Sequence, residues 1–148
     1  MAKAAILVIG NEILSGRTRD LNVSYLATEL AALGVPVAEV RIVRDEYPAI
    51  IAGIEALRHT HTYVFTSGGI GPTHDDITSA AVAEAFRLPL ERHEEAVRRL
   101  TSGRKGEAAP SLLKMADLPR GASLIDNPLS QAPGFRLDNV FVLAGVPD

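Results

Sequence analysis

Between Ala4 and Phe86 the sequence alternates three times between a short apolar run and a segment with helical spacing. "AAILVI" (Ala4–Ile9) is continuously apolar and stops at Gly10, which suits a strand buried on both faces of a parallel sheet. A polar loop, "NEILSGRTRD", follows. Apolar residues then recur at a helical period at Leu21, Tyr25, Leu26, Leu30 and Leu33, with Asp20 or Asn22 placed to cap the helix and Gly34 to end it. "VPVAEVRIV" reads as a second strand. Asp45 is placed to cap the next helix, Pro48 fits its first turn, and Ile50, Ile51, Ile54 and Leu57 form its buried stripe. "TYVFTS" reads as a third strand and Thr78–Phe86 as a third helix. Such alternation predicts βαβ units, right-handed crossovers and an α/β fold with a mainly parallel sheet.

Further on, Glu91–Leu100 reads as a charged helix and Ser102–Ala109 as a polar, mobile connection. "ASLID" and "NVFVLAG" read as late strands, the second apolar enough to be central. The 148 residues fit one domain, 1–148. A chain of that size buries roughly 70% of its unfolded surface and holds a core unaided. With a net charge of -3 the chain lacks the basic footprint of a nucleic-acid binder. It has no cysteine, so disulfides and thiolate metal sites are excluded. The opening "MAKAAILVIG" lacks the features of a signal peptide, and no apolar run approaches the roughly 20 residues that span a bilayer. These features lead to the expectation of a cytoplasmic protein without nucleic-acid or membrane partners. The abrupt end at "FVLAGVPD" leads to the expectation that the chain is the N-terminal part of a longer protein.

In open α/β sheets, ligands bind in the loops that leave the carboxyl ends of the strands. Three such loops, Gly10–Asp20, Arg44–Glu46 and Ser67–Asp76, are therefore expected to meet in one crevice. The last contains "TSGGIGPTHDDIT" (Thr66–Thr78), which carries Gly68, Gly69 and Gly71 ahead of a helix. Glycine lets a ligand approach the backbone, and a helix N-terminus attracts phosphate or carboxylate. The plainer reading is a tight turn with an aspartate as N-cap. The loop is neither a Walker A motif, because its Lys-Ser/Thr pair is missing, nor a GxGxxG fingerprint.

A carboxylate beside a phosphate site repels the phosphate unless a cation lies between them, and Mg²⁺ is usually held by one or two carboxylates together with substrate phosphates. Asp76 is read as such a carboxylate, and Asp75 as a solvated or capping one. Asp45 is a helix cap or a second carboxylate facing the crevice, and the two roles are compatible. Glu12, in "GNEILSG", is either a solvated charge or an acceptor for a heterocycle's N–H groups. His74 contacts a phosphate or lies on the surface. His59, His61 and His93 have no ligand spacing.

Together, "GNEILSG", "RDLN", "TSGGIGPTHDDIT", "KMADLP", "NPLSQAPGF" and "LAGVP" resemble, in order and over nearly the whole chain, the molybdopterin-binding (MoCF) domain family. Within that family the segments most resemble the N-terminal domain of the competence/damage-inducible protein A (CinA) branch. Three positions depart from its pattern: Ser130 and Gln131 stand where the family often has Gly-Thr, and Ala144 where it often has Pro.

The resemblance implies a three-layer αβα sandwich and a homo-oligomer, trimer or dimer. It implies catalytic and metal-binding roles for Asp45 and Asp76, with Mg²⁺ or another divalent metal. It implies a binding set of Gly10, Asn11, Glu12, Thr66, Ser67, Gly68, Gly69, Gly71, Pro72, Thr73 and Thr78 for molybdopterin or a nucleotide. Molybdenum-cofactor enzymes of this superfamily adenylylate molybdopterin: the pterin phosphate attacks the α-phosphate of ATP, with Mg²⁺ neutralising charge. The CinA branch is linked instead to hydrolysis of ADP-ribose-like dinucleotides. Three readings follow: a pterin-phosphate domain, a metal-dependent nucleotide pyrophosphatase, and a non-catalytic structural or regulatory domain.

Overall fold

The computed structural model describes residues 2–16, 22–70, 76–102, 109–125 and 134–143. Along the chain, β1 (Ala4–Ile9) is followed by α1 (Asn11–Leu14), α2 (Asn22–Ala32), β2 (Val37–Val43), α3 (Tyr47–Arg58), β3 (Tyr63–Ser67) and α4 (Thr78–Ala85). Then come β4 (Leu90–Arg92), α5 (Glu94–Thr101), α6 (Pro110–Lys114), β5 (Asp117–Pro119), β6 (Ser123–Ile125), β7 (Gly134–Leu137) and β8 (Val140–Leu143).

All six residues of β1 are buried. The reason is its place: β2 and β3 flank it in parallel, so neither face nor edge meets water. The main sheet has six strands in the order β2-β1-β3-β8-β7-β6, parallel from β2 to β8 and antiparallel beyond. The crossovers β1 to β2 and β2 to β3 run in opposite directions across this sheet. Right-handed connections therefore place α2 and α3 on opposite faces, giving three layers. Side chains alternate along each strand, so Ala5, Leu7 and Ile9 share one face with Val64, Val140 and Val142. That face meets Ile50, Ile54 and Leu57 of α3 and Ala81 and Val82 of α4 in one core, completed by Phe135 of β7. Ala4, Ile6 and Val8 point the other way and are buried as well. On that second face Phe65 and Phe141, cross-strand neighbours, stack with ring centroids 5.0 Å apart.

Several details differ from the sequence reading. The polar loop after β1 contains a helical turn, α1, because Ser15 and Gly16 N–H close back on Asn11 and Ile13 carbonyls. Asp45 does not cap α3: the cap position falls on Glu46, and the Asp45 N–H instead donates to Asn11 Oδ1 at 3.2 Å. The helix read as Glu91–Leu100 begins only at Glu94, where the His93 ring accepts from Ala96 N–H as its cap. Leu90–Arg92 pair instead with β5, tied by Arg92–Asp117 and Arg120–Glu91 ion pairs at 3.0 and 2.8 Å. Within α2 the apolar stripe is only partly buried: Leu30 is covered, whereas Leu33 and Tyr25 are 77% and 52% exposed. β7 was not legible in advance, being short and interrupted on its exposed face by Arg136. As expected, Gly34 closes α2 with a left-handed φ of 80°. The readings placed on Asp20, Leu21 and residues 103–108 lie outside the described residues.

Candidate functional site

Parallel pairing in the order β2-β1-β3 brings three strand ends to one edge: Ile9, Val43 and Ser67 are followed by Gly10, Arg44-Asp45 and Gly68. Gly10 N–H reaches back to the Val43 carbonyl at 3.0 Å, which ties the first loop to the second. Asn11, at the start of α1, accepts from Asp45 N–H and ties them again. Sequence spacing alone shows neither link.

Two consecutive left-handed glycines form the centre. Gly68 has φ 96°, and a Cβ there would lie 2.1 Å from the Ile9 carbonyl, so no larger residue fits. Gly69 has φ 76°, and a Cβ there would lie 2.0 Å from Thr78 Oγ1 and 3.5 Å from Asp45 Oδ1. The missing side chain of Gly69 is thus what lets the Asp45 carboxylate and the start of α4 share one space. Thr78, fully buried, laces the loop to the helix: its hydroxyl donates to Gly68 O at 2.9 Å and its N–H to Gly69 O at 3.0 Å. In a trans peptide the carbonyl and the following N–H point in opposite directions. Because these two carbonyls face α4, the N–H groups of Gly69 and Ile70 are turned away from it. Successive amides turned the same way form an anion-binding concavity.

Around this centre, Glu12 folds its carboxylate over Gly10, with Oε1 2.6 Å from where a Cβ would stand. A cleft of about 320 Å³ lies beside it, lined by Asn11, Leu14, Ser15, Arg44 and Glu46. Asp45 is half-buried with Oδ1 fully enclosed. Asp76, also half-buried, lies two residues before α4, and its carbonyl accepts from Lys114 Nζ at 2.7 Å. Lys114 escaped sequence reasoning, although it stands in the "KMADLP" segment that carried the resemblance. Thr66 and Ser67 are buried beneath the loop; Thr66 Oγ1 has no hydrogen-bond partner among the described residues. Gly71, Pro72, Thr73, His74 and Asp75 lie outside the described residues. His93 caps α5, His59 meets Glu55, and His61 meets the Leu57 carbonyl, so these histidines have local partners. Among the described residues no group of three or more His, Cys, Asp or Glu side chains gathers.

Residues 5–148 match the family described as "Probable molybdopterin binding domain". A CinA-like protein of Syntrophus aciditrophicus is 41% identical over 152 residues, covering 98% of this chain and 36% of that protein. The crystal structure of the protein CinA, of unknown function, from Thermoplasma acidophilum superposes with a TM-score of 0.90 at 32% identity, covering 98% of this chain and 89% of that one. The molybdopterin biosynthesis enzyme MoaB of Thermus thermophilus shares the fold, with a TM-score of 0.61 at 20% identity over 99% of this chain and 83% of that one. The chain spans between 32% and 61% of the lengths of the curated relatives it matches. By its sequence over nearly all of its length and by its fold, the chain belongs to the molybdopterin-binding (MoCF) domain family and is similar within it to the CinA-like proteins.

Proposed function

We propose that the crevice at the ends of β1, β2 and β3 binds the phosphate of a pterin ligand, molybdopterin, on the amides of the glycine loop. The observation that carries this reading is the pair of left-handed glycines, Gly68 and Gly69, whose carbonyls are held by Thr78 so that the Gly69 and Ile70 N–H groups turn the other way, toward the crevice. A phosphate held on those amides has the Asp45 carboxylate as a neighbour, Oδ1 lying 3.5 Å from where a Gly69 Cβ would stand. The amides attract it, whereas the carboxylate repels it.

The donor set fits a hard divalent cation such as Mg²⁺. Asp45 offers an enclosed carboxylate oxygen, and Asp76 a second carboxylate on the segment entering α4. Mg²⁺ takes one or two carboxylates plus ligand phosphates rather than an all-protein cage. When bound, it supplies the charge that turns carboxylate–phosphate repulsion into attraction. Asn11 holds the Asp45 backbone, Thr78 holds the loop, and Glu12 is placed over Gly10 to accept from a heterocycle's N–H groups. In this reading the chain works in the cytoplasm as a homo-oligomer, burying exposed apolar residues such as Leu33, Val40 and Ile42.

The test is calorimetric titration of the protein with a pterin phosphate, with and without Mg²⁺. Binding that strengthens with Mg²⁺ supports the reading. A protein that ignores the pterin phosphate but hydrolyses ADP-ribose with Mg²⁺ would replace it with the pyrophosphatase reading.

A further inference from the structure

We propose that Lys114 is a positioning residue for Asp76: its ammonium clamps the Asp76 carbonyl and so fixes the direction in which the Asp76 carboxylate projects. This rests on the reading above that Asp76 helps to hold a divalent cation.

The hydrogen bond joins residues 38 positions apart, at 2.7 Å, in a partly buried setting. Holding a long, flexible side chain in one place costs conformational entropy, so its partner must compensate. The partner is a carbonyl with a particular need. Inside α4 the backbone ladder starts with Ile77, whose carbonyl accepts from Ala81 N–H. The Asp76 carbonyl stands ahead of that ladder and, being partly buried, takes its donor from outside the helix. Lys114 supplies the donor, and it brings a full positive charge to the side of the site where the carboxylates lie.

The clamp has a firm base. Leu112 and Met115, on either side of Lys114, pack against the main core, so the lysine rises from a seated element rather than from a loose loop. On the far side, Thr78 N–H is fixed to Gly69 O at 3.0 Å. The stretch Asp76–Thr78 is therefore pinned at two successive points, by Lys114 and by the glycine loop. Between them the chain has few remaining rotations, and the Cα–Cβ direction of Asp76 is set. Partners that orient a metal ligand in this way typically change metal affinity by about 10–100-fold when removed.

The experiment uses the intact chain as wild type and as Lys114→Met, Lys114→Arg and Asp76→Asn. Mn²⁺ affinity is read by calorimetry, melting temperature by circular dichroism, and amide hydrogen exchange around residues 76–78 is measured on metal-free protein. The proposal expects Lys114→Met to weaken Mn²⁺ binding about tenfold or more and to speed exchange locally. Lys114→Arg, which keeps a charged donor, should recover much of both. A Lys114→Met protein with wild-type Mn²⁺ affinity and unchanged local exchange, even with a lower melting temperature, overturns the proposal and leaves the lysine a brace between α6 and α4. Wild-type affinity in Asp76→Asn would instead overturn the reading of the site, and the proposal with it. Should Lys114→Met fail to fold, the comparison of Lys114→Arg with wild type decides: unchanged affinity and exchange support the clamp only if Lys114→Gln weakens both.

Discussion

The hydroxyl of Thr78 donates to the carbonyl of Gly68 across 2.9 Å, so the first residue of α4 and the glycine loop move as one piece. The backbone of Thr78 repeats the tie one residue on, at Gly69. A loop with two left-handed glycines would otherwise be among the least constrained parts of the chain. Here a buried threonine holds it, and the amides that face the crevice are aimed before any ligand arrives.

Thr78→Val keeps the shape and removes the donor. The Gly68 carbonyl then loses its partner in a buried place, at a cost of about 1–3 kcal/mol. Denaturant unfolding should show that loss, and pterin-phosphate affinity should fall with it. Unchanged stability would mean that the carbonyl finds another donor.

Gly69→Ala adds a methyl group 2.0 Å from Thr78 Oγ1 and forces alanine to a φ of 76°. Gly121 is the control, with a similar φ of 86° but open space around its Cβ position. Gly121→Ala should cost only the backbone term, roughly 1–2 kcal/mol. Gly69→Ala should cost more and should also abolish ligand binding. Equal costs in urea titrations would contradict the tight contact between the loop and Thr78.

Thr66 is fully buried, and its hydroxyl has no partner among the described residues. It supports the site from below, next to Leu7 and Val142 in the strand register. Thr66→Val should therefore leave ligand affinity unchanged and raise stability by about 1 kcal/mol, since a buried unpaired hydroxyl carries a desolvation cost. Weaker ligand binding in this variant would show that the hydroxyl serves the ligand directly.

Across β4 and β5 the Arg120 guanidinium hydrogen-bonds Glu91 and holds its carboxyl below the ordinary value of 4.5. A carboxyl with a lowered folded-state value contributes stability above 4.5 and loses it as the pH falls through that folded-state value. Glu91→Gln removes the titration. Acidification from neutral pH to below 4.5 should lower the melting temperature of wild type more than that of Glu91→Gln. The pair is exposed, so the difference should be small and should shrink further in high salt.

Much of this fold is written in local patterns. β1 is readable because a strand buried on every side must be apolar at every position, and Ile50, Ile54 and Leu57 because one helix face meets the core. β4 is not readable, because Glu91 and Arg92 are held there by partners more than twenty residues away, Arg120 and Asp117. Helical spacing from Glu91 onward hides that pairing. β7 is missed for a similar reason: three of its four residues are buried, but only the pairing with β6 and β8 makes it a strand. Within the site, the glycines and aspartates stand out as residue types. Their couplings do not. That Asn11 ties Asp45, that Thr78 ties Gly68, and that Lys114 reaches Asp76 are facts of tertiary geometry.

The most direct test concerns Asp45, whose enclosed Oδ1 lies 3.5 Å from where a Gly69 Cβ would stand, against the glycine loop. Pterin-phosphate binding is titrated by calorimetry at rising Mg²⁺, with wild type and Asp45→Asn side by side and circular dichroism confirming that both are folded. The account predicts that Mg²⁺ strengthens binding by wild type, and that Asp45→Asn binds more weakly and no longer responds to the metal. Identical, metal-responsive binding by a folded Asp45→Asn would contradict the assignment of this carboxylate to the ligand site.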